Sequence, residues 1–181
     1  MNIRESTSRL VMSALLAALT FLATDLLHIA TPLGYMHLGD TFVLLSGFLL
    51  GPLYGGLAAG LGSLLADLVS GYSVYAPGTF VIKFAMAAGV SRLLPLFLRF
   101  RKTEKAAAVI AGTIAELFMV ICYFFYDILI LTLFSGSTPA AAAAATAAVL
   151  PFRAMQGISG CVLACVLWPL LRRARGAVRQ E

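Results

Sequence analysis

Arg99-Phe100-Arg101-Lys102-Thr103-Glu104-Lys105 is a basic island between two long apolar runs. The run before it extends from about 77 to 98, starts at Ala76-Pro77-Gly78 and contains Pro95. The run after it extends from about 106 to 134 and ends at Ser135-Gly136-Ser137-Thr138-Pro139. Each is long enough to cross a hydrocarbon layer of about 30 Å as a helix rising 1.5 Å per residue. Upstream, a helix over about 8–30 is expected, broken at Thr31-Pro32-Leu33-Gly34. The hydrophobicity that continues past it reads as a retained span, not a cleaved signal peptide. Shorter runs follow over about 38–51, ending at Gly51-Pro52, and 53–70, ending at Gly71-Tyr72-Ser73. A last helix is expected over about 142–173. In it the alanine-rich tract Ala140 to Ala148 leads into Pro151, a boundary or kink, and an apolar span from Phe152 to Leu171.

Composition agrees with this pattern. The chain has 181 residues, 61% of them hydrophobic and 12% charged, with a mean hydropathy of +0.95. Soluble domains are nearer half apolar and a quarter charged. An ordinary cytosolic enzyme and a disordered chain are both excluded. The expected fold class is an all-α membrane protein, a six-transmembrane-helix bundle forming a single integral membrane domain in a lipid bilayer.

The net charge is +5, which in a soluble protein would suggest nucleic acid. Here 11 of the 13 basic residues sit at the termini or between Arg92 and Lys105. The three opposite connections, near 31–37, 71–77 and 135–149, hold no lysine or arginine. By the positive-inside rule both termini are cytoplasmic. No basic patch alternates with exposed aromatics, so no nucleic-acid partner is expected. Cys122, Cys161 and Cys165 lie in apolar runs and suggest neither a disulfide framework nor a metal site.

Charges inside the spans are costly and are therefore functional candidates. They are Asp25, Asp40, Asp67, Lys83, Glu116, Asp127 and Arg153, with His28 and His37 near the first outer connection. Asp67, Lys83, Asp127 and Arg153 fall at one outer-leaflet depth. Glu116, Tyr123 and Asp127 follow i, i+7, i+11 on helix five. Arg153, Gln156, Gly157 and Gly160 follow i, i+3, i+4, i+7 on helix six, and Thr79 and Lys83 are four apart on helix four. Two readings fit: structural ion pairs such as Asp67 with Lys83, or a small-molecule cavity. The size of the set favours the cavity. Its expected lining is Tyr35, His37, Asp67, Lys83, Glu116, Tyr123, Asp127, Arg153 and Gln156. Tyr35, Tyr72 and Tyr75 read as interfacial anchors or stacking walls, and Trp168 as an interface anchor.

Ala14 and Ala18, with Ser13 and Ala17 beside them, and Gly55, Gly56, Ala59, Gly60 and Ser63 allow close helix approach. The chain has no G-x-x-x-x-G-K-[ST] phosphate loop and no H-E-x-x-H, so neither an ATPase nor a zinc hydrolase is expected. No flanks of a nucleophile elbow surround Ser46 or Ser63. No catalytic residue, metal or cofactor is expected.

The stretch from Ile29 to Lys83 carries three recognisable blocks: His37-Leu38-Gly39-Asp40, Gly62-Ser63-Leu64-Leu65-Ala66-Asp67, and Ala76-Pro77-Gly78-Thr79-Phe80-Val81-Ile82-Lys83. It resembles the substrate-binding S components of energy-coupling factor (ECF) vitamin transporters. The resemblance implies a six-helix membrane protein that binds a micronutrient in an outward pocket capped by the first connection. It implies that Ala14 and Ala18 contact a transmembrane coupling subunit, and that two cytoplasmic ATPase subunits complete an importer. A pyridoxine-like ligand is the first expectation, with riboflavin or a hydroxymethylpyrimidine next. Different-class alternatives are a self-sufficient proton-coupled carrier using Asp67, Glu116 or Asp127, and a structural subunit that binds nothing. Against the carrier, no inverted repeat is evident in 181 residues.

Overall fold

The computed structural model describes residues 3–100 and 103–178, with side chains described over 6–100 and 103–172. The described residues form α1 (Ile3–Asp25), a hairpin of β1 (His28–Thr31) and β2 (Gly34–His37), α2 (Asp40–Leu50), α3 (Pro52–Val69), α4 (Ala76–Phe100), α5 (Glu104–Phe134) and α6 (Pro139–Val178). Arg101, Lys102 and Arg179 lie outside the described residues, as do the side chains of Arg4, Arg173 and Arg175.

Helix boundaries follow local chemistry. Pro52 and Pro139 open α3 and α6, where a missing N–H costs nothing. Thr103 caps α5 by accepting from the Ala106 N–H at 3.3 Å, and Thr138 accepts from Ala141 at 3.3 Å at the start of α6. Gly51, at φ +84°, turns α2 directly into α3.

Five helices are long and apolar enough to cross a membrane. α2 has only 11 residues, about 16 Å at 1.5 Å per residue, roughly half the hydrocarbon thickness. It is also the innermost element, packed against α1, α3, α4 and α6, with eight residues buried. Around it α3 packs on α1 and α4, and α5 on α4 and α6. Leu44, Leu45, Val90, Ala107, Ala108, Ala111 and Ala164 form the inner core; Trp168 joins it. Trp168 is 3% exposed, with its ring 5.5 Å from Phe48. It is a core residue and not the expected interface anchor, because its ring packs against Phe48 near the end of the short α2.

The first helix ends at Asp25, earlier than expected, and the connection is not a simple break. His28 pairs with His37, Ile29 with Met36, Ala30 with Tyr35 and Thr31 with Gly34. Antiparallel pairing satisfies the backbone groups that continued helix would have used. β1 is largely exposed, whereas β2 turns His37 into the bundle.

α6 begins in the alanine-rich tract and continues through Pro151. Ala142, Thr146 and Val149 are buried, and with Arg153, Gln156 and Gly160 they make one face at alternating steps of four and three. The intervening alanines at 144, 145, 147 and 148 are exposed. The tract is thus the first part of a continuous inward helix face.

Candidate functional site

Four of the charges within the helices assemble into two pairs. Lys83 on α4 is paired with Asp40 at the start of α2, and both side chains are fully buried. Asp40 also accepts from Gln156 Nε2 of α6 at 2.6 Å. The same amide's Oε1 accepts from the backbone N–H of His37 at 3.4 Å. A chain of contacts therefore runs from α4 through α2 and α6 to the hairpin. The second pair is Arg153 with Asp127, at 2.6 Å, linking α6 to α5. Tyr123 stands between the pairs. Arg153 Cζ lies 4.6 Å and Lys83 Nζ 5.4 Å from its ring centroid. Its hydroxyl donates to Thr79 at 3.1 Å.

Above this network lies a cavity of about 60 Å³ bounded by the hairpin, α1, α3, α4, α5 and α6. Six of the nine expected residues line it: Tyr35, His37, Asp67, Tyr123, Arg153 and Gln156. Lys83, Glu116 and Asp127 do not. Lys83 lies beneath, spent on Asp40, so the expected pairing of Asp67 with Lys83 is replaced by Asp40 with Lys83. Asp127 holds Arg153 from behind. Glu116 lies 11 residues, about 16 Å of helix, from Asp127. Its carboxyl packs against Gly157 and Gly160, and neither oxygen has a hydrogen-bond partner.

The cavity is also lined by Thr24, Ser63, Thr79, Val149 and Phe152. Thr24 escaped sequence reading because a lone threonine in an apolar helix carries no periodic signal. Asp40 was visible as an intramembrane charge, but nothing in its spacing showed that it is the hub of the network. Among the loop and hairpin tyrosines, Tyr35 and Tyr75 line the cavity. Tyr72 bridges them, its ring centroid 5.0 Å from Tyr35 and 6.4 Å from Tyr75. Tyr126 extends the row, and its hydroxyl donates to Val74 O at 3.1 Å. These four tyrosines form a continuous row of ring contacts, of which Tyr35 and Tyr75 reach the cavity.

The hairpin closes the cavity through polar contacts. Tyr35 donates to Asp67 Oδ1 at 2.7 Å. Burial and the Asp67 carboxylate push the Tyr35 phenol up, so it remains a donor. His37 Nδ1 accepts from the Gly39 N–H at 3.1 Å, which places the ring proton on Nε2. Burial pushes His37 down to about 4, against the attraction of Asp40. The unfolded chain therefore binds a proton here near the ordinary value of 6.5 that the folded chain refuses. The contribution is complete above about 6.5 and is lost as pH falls toward about 4. The wild-type chain is expected to lose more thermal stability between pH 7.5 and pH 4.5 than His37→Asn, measured by unfolding in detergent. Equal losses would show that His37 is not buried in its neutral form.

Ala14 and Ala18 are exposed on the outer face of α1, whereas Ser13 is buried and Ala17 partly so. Ser13 and Ala17 thus face the bundle, with Ala17 packed at Gly62 of α3.

A family model described as "ECF-type riboflavin transporter, S component" matches residues 4–173. The chain belongs to this family. This S component is an integral membrane protein and shares its fold with solved S components. One is the S component of a bacterial ECF transporter, at a TM-score of 0.70 and 21% identity, covering 97% of this chain and 99% of that one. Another is the S component for biotin from an ECF-type ABC transporter, at 0.67 and 19%, covering 92% and 94%. A protein of Pyrococcus woesei, described as an uncharacterised protein in the gap 3′ region, is 50% identical over 50 residues. That match spans 28% of this chain and 33% of the relative's length.

Proposed function

We propose that this S component is the high-affinity substrate-binding subunit of an ATP-driven importer. Its ligand is a small heteroaromatic vitamin, bound under the hairpin by Tyr35, His37, Asp67, Tyr123, Arg153 and Gln156. Lys83, through Asp40 and Gln156, and Asp127, through Arg153, support those side chains from behind, and Glu116 packs on Gly157 and Gly160 without a hydrogen bond to any of them. The observation that carries this reading is the cavity itself: tyrosine rings interleaved with hydrogen-bonding groups from five helices and a hairpin. Such convergence of few polar groups in an aromatic-lined pocket is how small-ligand sites fix orientation.

A pyridoxine-like ligand is the first reading, because mixed-sign polar groups beside tyrosine rings suit a small hydroxylated heteroaromatic ring. Riboflavin is the second reading, supported by the family's description. A hydroxymethylpyrimidine follows. The test is to purify the chain from cells grown in rich medium, denature it and identify released compounds by mass spectrometry. About one pyridoxine-like molecule per chain is expected. A chain that releases nothing and is stabilised by no member of a vitamin panel would contradict the proposal.

The partners in this reading are a transmembrane coupling subunit and two cytoplasmic ATPase subunits, on the side where both termini and the 99–105 loop lie. The exposed Ala14 and Ala18 form the flat contact for the coupling subunit. Ala14→Leu with Ala18→Leu is expected to reduce co-purification of the coupling subunit at least tenfold and leave ligand affinity unchanged. Normal assembly by that double variant would remove the contact from the account.

A further inference from the structure

The buried charges are unequally satisfied. The two cations at the level of the cavity, Lys83 and Arg153, are both already paired, with Asp40 and Asp127. Lys83 does not reach the cavity wall. Arg153 does: its Nη2 donates to Asp127, and its guanidinium lies over the Tyr123 ring. The carboxylate on the same wall, Asp67, has no cation partner among the described residues. It is 6% exposed. Its Oδ1 accepts from Tyr35 at 2.7 Å, while buried Oδ2 makes no hydrogen bond of ordinary geometry, although the Thr79 hydroxyl lies close by. Ser63 and Thr24, on the same wall, also carry buried hydroxyl oxygens without partners. His37 adds no positive charge, since burial keeps its ring neutral at physiological pH.

An incoming anion would meet the Asp67 carboxylate, which no cation pairs, and a single wall cation, Arg153, that already donates through Nη2 to Asp127. Removing a carboxylate or phosphate from water costs several kcal/mol unless an opposite charge meets it, and a like charge nearby raises that cost. A ligand bringing an ammonium, a protonated ring nitrogen or an N–H group would instead complete the hydrogen bonding of Asp67 Oδ2. Charge-assisted hydrogen bonds of this kind are about twice as strong as neutral ones.

We propose that Asp67 sets the charge specificity of the cavity: it selects heteroaromatic ligands that present a cationic or N–H donor group and rejects the carboxylated and phosphorylated forms of the same ring. This rests on the reading of the cavity as a vitamin site and adds the chemical class it takes. Tyr35 is the positioning residue, holding the Asp67 carboxylate through Oδ1 and leaving Oδ2 without a hydrogen bond.

The test uses the full chain in lipid nanodiscs and two ring-matched series read by calorimetry. The first is pyridoxamine, pyridoxine, pyridoxine 5′-phosphate and 4-pyridoxic acid. The second is riboflavin and riboflavin 5′-phosphate. Within whichever series binds, the anionic members are expected to be at least 100-fold weaker than the parent ring, and pyridoxamine at least as tight as pyridoxine. Asp67→Asn is expected to shrink that ratio at least tenfold, mainly by weakening the non-anionic ligand. Tyr35→Phe is expected to weaken all members while keeping their order. A phosphate or carboxylate form that binds within threefold of its parent overturns the proposal, and that comparison needs only the wild-type chain. An Asp67→Asn chain with undiminished selectivity also overturns it. Binding by no member of either series, nor by a hydroxymethylpyrimidine, would instead overturn the vitamin-site reading, and this inference with it.

Discussion

Lys83→Met is expected to destabilise the bundle by about 3–5 kcal/mol, the usual cost of stripping one partner from a buried ion pair. Both Lys83 and Asp40 are fully buried, so no water compensates the carboxylate left behind. Methionine preserves most of the volume and its unbranched shape, so lost packing is a minor part of the effect. The consequence extends beyond stability. Asp40 also holds Gln156, and Gln156 holds the His37 N–H of the hairpin. An unpaired Asp40 therefore disturbs the cavity from beneath. Asp40→Asn combined with Lys83→Met is expected to recover most of the stability, because the asparagine carbonyl still accepts from Gln156 and no charge remains. Thermal unfolding in detergent reads all three chains. A Lys83→Met chain as stable as wild type would mean that the pair is not buried in the membrane-embedded protein.

Arg153→Ala is expected to weaken ligand binding at least 100-fold, the second large effect. Three functions are lost together. Asp127, fully buried, loses the partner that donates to it at 2.6 Å. Tyr123 loses the cation 4.6 Å above its ring, an interaction worth roughly 0.5–2 kcal/mol. The cavity loses part of its wall. Arg153→Lys restores the charge but not the planar stacking or the fork geometry, so only partial recovery is expected. Calorimetry with the ligand identified from the purified chain reads the change. Unaltered affinity in Arg153→Ala would remove Arg153 from the site.

The membrane bundle was legible because its signals are long and redundant. Apolar runs near 77–98 and 106–134 leave little choice of structure, and the basic island between them repeats the message. The stripes Glu116, Tyr123, Asp127 and Arg153, Gln156, Gly160 announced the polar faces of α5 and α6, and each of these residues is at least partly buried. Pairing was not legible. Spacing along a helix tells which residues share a face, not which opposite charge on another helix is nearest. Asp67 was therefore as plausible a partner for Lys83 as Asp40. The short α2 explains the outcome. Because it starts at Asp40, under the hairpin, its first carboxylate reaches the level of Lys83. The hairpin was hidden for a related reason: four-residue strands carry almost no periodic pattern, and Pro32 with Gly34 reads simply as a break. The inward face of the alanine tract was equally silent, since Ala142 and its exposed neighbours are the same residue type.

The central claim is that this chain binds its ligand but does not move it unaided. The most direct measurement is uptake by proteoliposomes containing the purified chain alone, under an imposed pH gradient, alongside equilibrium binding in the same vesicles. Labelled pyridoxine and riboflavin are the probes. The account predicts saturable binding near one ligand per chain and no accumulation above that level, with accumulation appearing only when the coupling subunit, the ATPases and ATP are added. Gradient-driven accumulation by the chain alone would contradict it and identify a self-sufficient carrier.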